Sequence, residues 1–337
     1  METRYTVALV GCGRIGYSLG LDAKREQPAS HTMALRGNPR IQLVAGCDTD
    51  PDNRAVWTAA IPHATVYESS SELYKKHRTD IVTVAVPESA HETEAEAAIK
   101  SGARLVILEK PVAVNSGEAE RIRSLSTQYG VPVMINHERR FADDYRCAKK
   151  YMEQIGSLQS IYASLSSSLV VYNPDEEATG AYSLIHDGTH LVDAVLYFLD
   201  DTDLPAPVLT GVYKDEKQNI RQLSAHYALP ACPDITLTIS GRSRYFGFEI
   251  QINGTEGRIC IGNGYLKCYK RQESPLYTGF YSLLSDSSVV KPEKTRYFAN
   301  MVQNAVDFLD GTAPLYSPLE VGIRDLAVLE GIKKALY

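Results

Sequence analysis

Apolar residues in the first part of the chain come in short continuous runs, separated by longer stretches in which apolar and polar residues mix. This alternation is typical of βαβ units, in which buried parallel strands are joined by helices. We predict helices at residues 91–101 and 116–129. The pattern indicates an α/β domain with a doubly wound sheet of five parallel strands, at residues 6–10, 42–47, 81–85, 105–108 and 132–135.

The pattern changes beyond residue 141. A helix predicted at residues 146–154 is followed by short segments rich in β-branched and aromatic residues, many of which alternate in polarity. These segments predict a large, open, mostly antiparallel sheet, with strands at residues 158–172, 209–213, 222–227, 234–240, 245–252 and 257–269. Helices at 295–309 and 318–336 close this α+β region, and residues 214–219 and 282–295 are predicted loops. We therefore predict two domains, residues 1–136 and residues 137–337.

Composition narrows the class of protein. Of the 337 residues, 44% are hydrophobic and 23% are charged, values typical of a folded globular protein. The 35 basic and 41 acidic residues give a net charge of −6, so the chain has no general basic field for nucleic acid or an anionic membrane. Six cysteines without a CxxC pair, and no signal-peptide core or membrane-spanning run, predict a cytoplasmic protein.

A glycine-rich turn, GCGRIG, follows the first predicted strand directly. In a dinucleotide site Gly11 permits the tight turn, Gly13 lets the pyrophosphate approach the backbone, and Gly16 lets the next helix pack on the sheet. We expect that helix to direct its free N–H groups at the phosphates. The alternative is a structural turn without a ligand. The predicted cofactor contacts in the turn also include the two residues between the second and third glycines, Arg14 and Ile15.

Asp48 ends the second predicted strand, where an acidic residue accepts hydrogen bonds from the adenine ribose and repels the additional phosphate of NADP. It therefore favours NAD over NADP. The separation of Gly16 from Asp48 exceeds the usual spacing of about 20 residues and predicts an extended connection at residues 28–39. The alternative is an aspartate that caps a helix or closes a turn.

Two further strand ends carry candidate residues. Pro87 and His91 follow the third predicted strand, and Glu109-Lys110-Pro111 follows the fourth. Carboxyl ends of parallel strands meet at the edge where α/β proteins bind ligands. Lys110 is placed there to donate a hydrogen bond to a substrate oxygen.

Together these motifs resemble those of the glucose-fructose oxidoreductase, inositol dehydrogenase and MocA family, written Gfo/Idh/MocA. The resemblance extends to both halves of the chain and implies an N-terminal Rossmann domain and a C-terminal domain built on an open sheet. It implies that Lys110 is the active-site lysine and that Pro87 and Glu109 line the nicotinamide region. We count His91 with them as a cofactor-binding residue.

The segment from His186 to Asp193 resembles the family's D-x-G-x-H-x-x-D motif. The resemblance implies that His190 is the catalytic histidine, and it places His186 where an aspartate is usual. Three interpretations compete: His190 is a general base while His186 and Asp187 orient substrate, the two histidines bind a metal, or both only begin a helix that Asp187 caps. We favour the first, count His186 with Lys110 and His190 among the candidate catalytic residues, and predict no metal.

A polar cluster follows the last predicted strand of the first domain, and its candidate substrate ligands are Asn136, His137 and Arg139. Arg140 is equally well explained as a solvated residue of a turn. Among the tyrosines, Tyr172 and Tyr182 are predicted to lie near the site.

The sequence thus predicts a dehydrogenase that uses NAD, with NADP as the alternative, to oxidise a secondary alcohol of a sugar, cyclitol or sugar derivative. An enzyme that cleaves a glycoside by transient oxidation, or a non-catalytic regulator that senses NAD, would share the first-domain motifs. The open sheet is expected to leave one apolar face uncovered, which predicts a homodimer or homotetramer.

Overall fold

The computed structural model describes residues 4–173 and 182–337. Within these ranges the chain contains fourteen β-strands and eleven α-helices. The helices are α1 His31–Gly37, α2 Pro51–Ala60, α3 Ser70–Lys76, α4 His91–Lys100, α5 Ser116–Tyr129, α6 Glu138–Phe141, α7 Asp143–Tyr151, α8 Ser183–His186, α9 Gly188–Phe198, α10 Tyr297–Leu309 and α11 Leu319–Ala335.

The described residues form two compact units. The first runs to Ala142 and also contains Thr295–Ile323, and the second contains Asp143–Lys294 and Arg324–Tyr337. The first unit thus extends past residue 136 and takes in α10 from the far end of the chain. The predicted domain boundary after residue 136 stays a prediction.

The first unit is built on a parallel sheet of six strands over its described residues, in the order β3-β2-β1-β4-β5-β6. This strand order defines a Rossmann sheet and confirms the predicted fold class. Burial is nearly complete along the central strands, as their continuous apolar sequence predicts. The strands are β1 Tyr5–Val10, β2 Ile41–Cys47, β3 Thr65–Tyr67, β4 Ile81–Val84, β5 Leu105–Leu108 and β6 Val133–Ile135.

The sequence prediction missed β3, the edge strand at residues Thr65–Tyr67. It is three residues long and none of its side chains is fully buried. A strand this short and half-covered leaves no apolar run to detect. The sheet therefore has six described strands where five were predicted.

The expectation that an α-helix begins at the glycine turn was wrong. Residues 14–17 make a single turn, which is followed by a 3₁₀ helix at Ser18–Leu21 and then by irregular chain. The α-helix resumes at His31, whose amide donates to the Ile15 carbonyl at 3.2 Å, while the Thr32 amide donates to Gly16 at 2.9 Å. In an uninterrupted helix residues 19 and 20 would make these bonds.

The irregular chain before His31 is therefore a twelve-residue insertion in the first helix. It explains the long separation of Gly16 from Asp48, because removing it restores the usual spacing of about 20 residues. The prediction placed this extra length at residues 28–39, whereas the structure places most of it before residue 31. Backbone hydrogen bonds are visible only in the structure, so the sequence gives no direct sign of where a helix is interrupted.

Glu26 fixes the insertion to α10. Its carboxylate accepts hydrogen bonds from the Thr295 amide at 2.8 Å, the Thr295 hydroxyl at 3.2 Å and the Arg296 amide at 2.6 Å. Arg296 precedes the first residue of α10 and makes no side-chain cap of its own. The N-terminus of α10 is thus capped by a residue distant in sequence.

The second unit contains an eight-stranded sheet over its described residues, in the order β14-β13-β12-β11-β7-β10-β9-β8. Neighbouring strands are antiparallel except β7 and β10, which are parallel. The predicted open, mostly antiparallel sheet is confirmed. Its strands are β7 Leu158–Ser166, β8 Val208–Lys214, β9 Ile220–Leu229, β10 Cys232–Ser240, β11 Gly247–Gly254, β12 Gly257–Gly262, β13 Tyr265–Glu273 and β14 Tyr281–Ser285.

Three strand predictions in this unit need correction. The strand predicted at residues 158–172 ends at Ser166, and the one predicted at 257–269 is a hairpin of β12 and β13. The hairpin turn contains Gly264 at φ +83°, in the left-handed region that favours glycine. β14 overlaps the segment that was predicted to be a loop. Its polar serines interrupt the apolar pattern by which a strand would have been recognised.

The face of the sheet that was expected to be apolar and uncovered is mixed in polarity. Helices α7 and α9 pack on one face of the sheet, which carries buried residues such as Ile161, Leu237 and Ile250. The opposite face carries hydrogen-bonded polar pairs, Ser224–Thr238 and Thr236–His226 at 3.0 and 3.1 Å, together with the exposed side chains of Tyr162 and Val208. Alternation along the strands directs most of the apolar side chains to the covered face.

We expect Glu26→Ala to lower the free energy of unfolding by about 1–2 kcal/mol, because three donors at the start of α10 lose their acceptor. Glu26→Gln keeps one acceptor oxygen and should cost less. Urea denaturation of both variants and the unaltered protein measures the difference. Equal stability of Glu26→Ala and the unaltered protein would show that the cap contributes nothing.

Candidate functional site

The glycine turn is held by two backbone contacts that exclude larger side chains. Gly11 has φ +92°, and a Cβ added there would lie 2.3 Å from the Ala85 carbonyl oxygen. A Cβ on Gly16 would lie 2.0 Å from the Gly11 carbonyl oxygen. Both glycines are therefore required by the fold of the turn itself.

Gly13 differs from Gly11 and Gly16 because a side chain added at Gly13 would meet only side-chain atoms of Asn53 and Asp48, and no backbone. A Cβ there would lie 3.3 Å from Asn53 Nδ2 and 3.9 Å from Asp48 Oδ2. The backbone at Gly13 is thus open to a ligand, next to the acidic residue expected to bind a ribose. This arrangement fits the pyrophosphate and adenosine part of a dinucleotide. Arg14 is exposed, and Ile15 packs against the hydrophobic core.

Asp48 joins the end of β2 to the glycine turn. Its Oδ2 accepts from the Cys12 amide at 2.8 Å and from Asn53 Nδ2 at 3.2 Å, while Oδ1 accepts from the Asp50 amide at 2.9 Å. A carboxylate has about four acceptor positions, so the bonds from described residues leave room for a ribose hydroxyl.

The alternative roles of Asp48 can be separated. Asp50 is the residue that caps α2, since its side chain accepts from the Asp52 amide at 2.8 Å. Asp48 is therefore not the helix cap, although its bond to the Asp50 amide does close a turn. The turn and a ribose contact are compatible.

Arg54 is a nearby cation that the sequence analysis did not identify. Its Nη1 donates to the carbonyl oxygens of Asp48 and Thr49 at 2.8 and 2.9 Å. These bonds hold a guanidinium beside the carboxylate that is expected to discriminate NAD from NADP. Nothing in the sequence indicated that Arg54, a residue of α2, would bond to the carbonyl groups at the end of β2.

His91 holds two loops together at the carboxyl edge of the sheet. Its Nδ1 lies 2.6 Å from the Pro111 carbonyl oxygen and its Nε2 lies 3.0 Å from the Val86 carbonyl oxygen. Burial lowers the pKa of His91, although both carbonyls favour its charged form. The two loops it joins carry Pro87, which is exposed, and Lys110, which is half-buried.

Glu109 is a buried carboxylate at the end of β5. Its Oε1 lies 2.6 Å from His31 Nε2 and accepts from Asn136 Nδ2 at 2.6 Å. Burial raises the pKa of Glu109, but the His31 bond and charge, the Asn136 bond and the Lys110 charge together outweigh burial and lower it. The structure thus brings Glu109, Asn136 and Lys110 together, as predicted from their strand ends, and adds His31.

His31 is the residue that the sequence analysis missed most clearly. It is the first residue of α1 and is 0% exposed. The excess length between Gly16 and Asp48 was the available signal, because it showed that the first helix does not follow the turn directly. That signal could not indicate which residue of the connection returns to the sheet edge.

The cluster after β6 is more buried than a solvated turn. His137 and Arg140 are 2% and 3% exposed, so the interpretation of Arg140 as a solvated residue was wrong. Arg139 begins α6 together with Glu138, and its Nη1 lies 3.2 Å from Glu138 Oε1. Asn136, His137 and Arg139 therefore lie at the carboxyl end of β6, where a substrate role was predicted.

In the second unit, the predicted helix after His186 is present as α9. His186 ends α8 and is exposed, whereas Asp187 and His190 are half-buried. The His190 amide donates to the Asp187 carbonyl at 3.1 Å, but the Asp187 side chain makes no capping bond to the described start of α9. The interpretation of Asp187 as a side-chain cap was therefore wrong.

Tyr172 and Tyr182 pack edge to face with ring centroids 5.9 Å apart, both nearly buried. Lys333 of α11 places its Nζ 5.5 Å from the Tyr172 ring centroid, and burial lowers the pKa of Lys333. Lys333 was not predicted as a site residue.

Among the residues that the structure describes, no three His, Cys, Asp or Glu side chains form a group that could hold a metal ion. None of the described helices combines the length and apolar character that a membrane span requires. All six cysteines are unpaired, and burial raises the pKa of Cys47 to about 12. That thiol is therefore unreactive at neutral pH.

The fold and these strand-end residues define a dinucleotide-binding Rossmann protein with an appended open-sheet domain. Comparison with known proteins supports this class. Residues 5–137 match the model of the GFO_IDH_MocA oxidoreductase family, described as an NAD-binding Rossmann fold. The match confirms the predicted resemblance to that family over residues 5–137.

Individual relatives agree with the family match. The chain is 31% identical over 136 residues to the myo-inositol dehydrogenase Hyg17 of Streptomyces leeuwenhoekii, covering 40% of this chain and 37% of that protein. It is 26% identical over 204 residues to the D-glucoside 3-dehydrogenase of Escherichia coli, covering 57% and 53%. The chain matches from 34% to 56% of the length of such curated relatives.

Solved structures share the fold over nearly the whole chain. A dehydrogenase from Chromobacterium violaceum superposes with a TM-score of 0.80 at 15% identity, covering 99% of this chain and 96% of that one. An oxidoreductase from Agrobacterium radiobacter, solved with NAD+, L-tartaric acid and magnesium, gives 0.77 at 16% identity, covering 99% and 97%. At these identities the likeness shows the fold.

We expect Gly13→Ala and Gly16→Ala to fail in different ways. Gly16→Ala forces a backbone clash and should destabilise the protein by about 1–3 kcal/mol. Gly13→Ala meets only movable side-chain atoms, so the protein should fold with nearly unaltered stability but bind NAD at least about tenfold more weakly. Urea denaturation and NAD titration test this contrast, and unaltered NAD affinity in Gly13→Ala would contradict it.

We expect the stabilisation by Glu109 to depend on pH. Because its pKa is lowered in the folded state, its contribution is present above the unfolded pKa of about 4.3 and is lost as the pH falls through the folded value. Glu109→Gln should therefore cost about 1–3 kcal/mol near pH 7 and progressively less as the pH falls below about 4.

Urea denaturation across this pH range measures the cost, with Glu68→Gln as the control at an exposed glutamate. A cost for Glu109→Gln that stays constant with pH would contradict the assignment of a charged Glu109.

Proposed function

We propose that this protein is an NAD-dependent dehydrogenase that acts on a secondary alcohol of a sugar, a cyclitol or a sugar derivative. One observation carries the proposal: within one compact unit, the glycine turn and Lys110 lie at the carboxyl edge of the same parallel sheet, and Glu109 is fixed beside the lysine. The names of relatives that act on inositols and glucosides support this substrate class.

The cofactor would be held in the first unit. Gly11, Gly13 and Gly16 shape the turn for its pyrophosphate, and Asp48 accepts from its adenine ribose. NAD, when bound, supplies the carbon that accepts a hydride. Pro87 and the loop joined by His91 then border the nicotinamide. Because both ring nitrogens of His91 face carbonyl oxygens, we assign His91 a positioning role.

In the proposed reaction the substrate carbon loses a hydride with its electron pair, and the hydroxyl loses its proton. His190 takes that proton on a ring nitrogen, and the carbinol becomes a carbonyl. Lys110 donates a hydrogen bond to the oxygen and stabilises its developing negative charge. The family resemblance joins these two residues in one mechanism.

We propose that polar residues of both units recognise the substrate. In the first unit these are His137 and Arg139, with Asn136 acting mainly through its bond to Glu109. In the second unit they are His186, Asp187 and Tyr172. Arg139 suits a substrate with an anionic group.

Asp48 and Arg54 have opposite effects on cofactor choice. The Asp48 carboxylate repels a 2′-phosphate, whereas the adjacent guanidinium would attract one. We propose that Asp48 dominates, because it borders the open side of Gly13 and the Arg54 Nη1 is already bonded to two carbonyls. One relative, IolW of Bacillus subtilis, is named as an NADP(+) enzyme, so the choice differs among similar proteins.

We also propose that the protein works in the cytoplasm as a homodimer or homotetramer. Its six unpaired cysteines support a reducing compartment. The sheet face opposite α7 and α9 supports assembly, because it exposes the apolar side chains of Tyr162 and Val208 beside its hydroxyl groups. Cell fractionation and sedimentation velocity test the two statements.

We expect Lys110→Ala to lower kcat by about 100-fold or more while leaving the Kd for NAD within about twofold. Turnover is measured as NADH absorbance on a panel of inositols, sugars and sugar acids. Lys100→Ala is the control, because Lys100 lies on the exposed end of α4 in an ion pair with Glu96. An active Lys110→Ala variant would refute the assigned role.

The same panel separates the alternative activities. Release of free sugar without net NADH would indicate glycoside cleavage by transient oxidation, and NAD binding without any chemistry would indicate a regulator.

We expect Asp48→Ser to raise kcat/KM with NADP relative to NAD by at least about tenfold, because the repelling carboxylate is lost and Arg54 remains. Kinetics with both cofactors measure the ratio. Asp48→Ser/Arg54→Ala should lose most of that gain. Preference for NADP in the unaltered protein would overturn the role assigned to Asp48.

A further inference from the structure

Three segments far apart in the chain meet at one buried carboxylate. Glu109 lies at the end of β5, His31 at the start of α1 and Asn136 at the end of β6. His31 Nε2 and Asn136 Nδ2 each lie 2.6 Å from the same oxygen, Glu109 Oε1. The three residues are 0%, 4% and 6% exposed for His31, Asn136 and Glu109. Solvent therefore contributes almost nothing to holding this carboxylate.

This cluster is costly as a purely stabilising device. His31 Nδ1 and Asn136 Oδ1 are buried without a hydrogen-bond partner among the described residues. Buried charged groups with incompletely satisfied partners add little stability compared with apolar side chains of similar volume. The arrangement is better explained by a need to fix Glu109 in one position.

The backbone of His31 is bound to the glycine turn. Its amide donates to the Ile15 carbonyl at 3.2 Å, and the next residue, Thr32, donates to the Gly16 carbonyl through its amide at 2.9 Å and its hydroxyl at 2.7 Å. A displacement of the turn therefore displaces His31. Since the His31 ring contacts Glu109, the displacement reaches the residue that precedes Lys110.

The charges around Glu109 favour its ionised form. His31 faces it from α1 and Lys110 adjoins it in the chain, while the His91 ring of α4 lies close enough to interact electrostatically. Loss of the His31 donor would leave Asn136 donating to the carboxylate from the end of β6. Glu109 would then ionise less readily.

We propose that His31 is a positioning residue that transmits occupancy of the dinucleotide turn to Lys110 through Glu109. The inference rests on the proposed function, because it assumes that the turn binds NAD and that Lys110 acts on substrate. It adds a residue outside the motifs on which that function was proposed. His31 does not contact the reacting atoms in this scheme; it fixes the loop that presents them.

Two variants of His31 separate its hydrogen bond from its volume. His31→Gln places an amide donor near the position of Nε2 without an imidazole, and His31→Leu fills the space without a donor. We expect His31→Leu to lower kcat/KM by about 100-fold, since misplacing a catalytic group by an ångström costs about that much. We expect His31→Gln to stay within about fivefold of the unaltered protein.

The pH dependence of unfolding supplies a second readout, because it reports Glu109 and not the general base. In His31→Leu the stabilisation by Glu109 should be lost at a higher pH than in the unaltered protein, because Glu109 loses a donor that favours its charged form. In His31→Gln the pH dependence of stability should stay near that of the unaltered protein. Equal losses of kcat/KM in both variants, or an unaltered pH dependence of stability in His31→Leu, would overturn the proposal.

A third measurement does not depend on turnover. Lys110 is labelled with acetic anhydride in the presence and absence of NAD, and its modification is followed by mass spectrometry. We expect NAD to change the labelling rate of Lys110 in the unaltered protein and in His31→Gln but not in His31→Leu. The same response to NAD in all three proteins would overturn the coupling.

The binding of NAD itself is followed by fluorescence of Trp57, the single tryptophan of the chain, whose Nε1 donates to the Thr32 hydroxyl at 2.9 Å. If the unaltered protein binds NAD but oxidises none of the alcohols, the proposed function fails while the labelling experiment still decides the role of His31. If His31→Leu does not fold, His31→Asn replaces it, because asparagine is too short to reach Glu109.

Discussion

Two buried hydrogen bonds join the Glu109 carboxylate to His31 and Asn136 and connect separate parts of the first unit. A carboxylate so far from solvent must obtain its hydrogen bonds from protein groups, and here they come from α1 and from the end of β6. The position of Lys110 depends on these two bonds, because Lys110 follows Glu109 directly in the chain. His91 fixes the same loop from the other side by its contact with the Pro111 carbonyl.

The dinucleotide turn and the lysine are therefore parts of one constrained structure. Gly11 and Gly16 are fixed by backbone contacts that tolerate no side chain, whereas Gly13 leaves the backbone open beside Asp48. The insertion before His31 interrupts the first helix without disturbing its hydrogen-bond register. Glu26 fixes the insertion to α10, so these additional residues are held in place within the first unit.

Prediction from sequence succeeded where burial and backbone periodicity dominate. The central strands of the first sheet are fully buried, so their apolar runs were recognised almost to the residue. It failed for the short edge strand β3 and for the serine-containing β14, where neither burial nor alternation is strong. It assigned an apolar surface to the open sheet, where strands such as β10 in fact place hydroxyl groups beside exposed apolar side chains such as Val208.

By itself, the sequence determined the class of the fold, the glycine turn, and the strand ends that carry Asp48, Glu109, Lys110 and Asn136. These features follow from local patterns and from the rule that parallel strands align their carboxyl ends. Only the tertiary structure decided that His31 meets Glu109, that Arg54 turns back to Asp48 and that Arg140 is buried. Such contacts join residues far apart in the chain, and no local pattern encodes which distant donor satisfies a buried carboxylate.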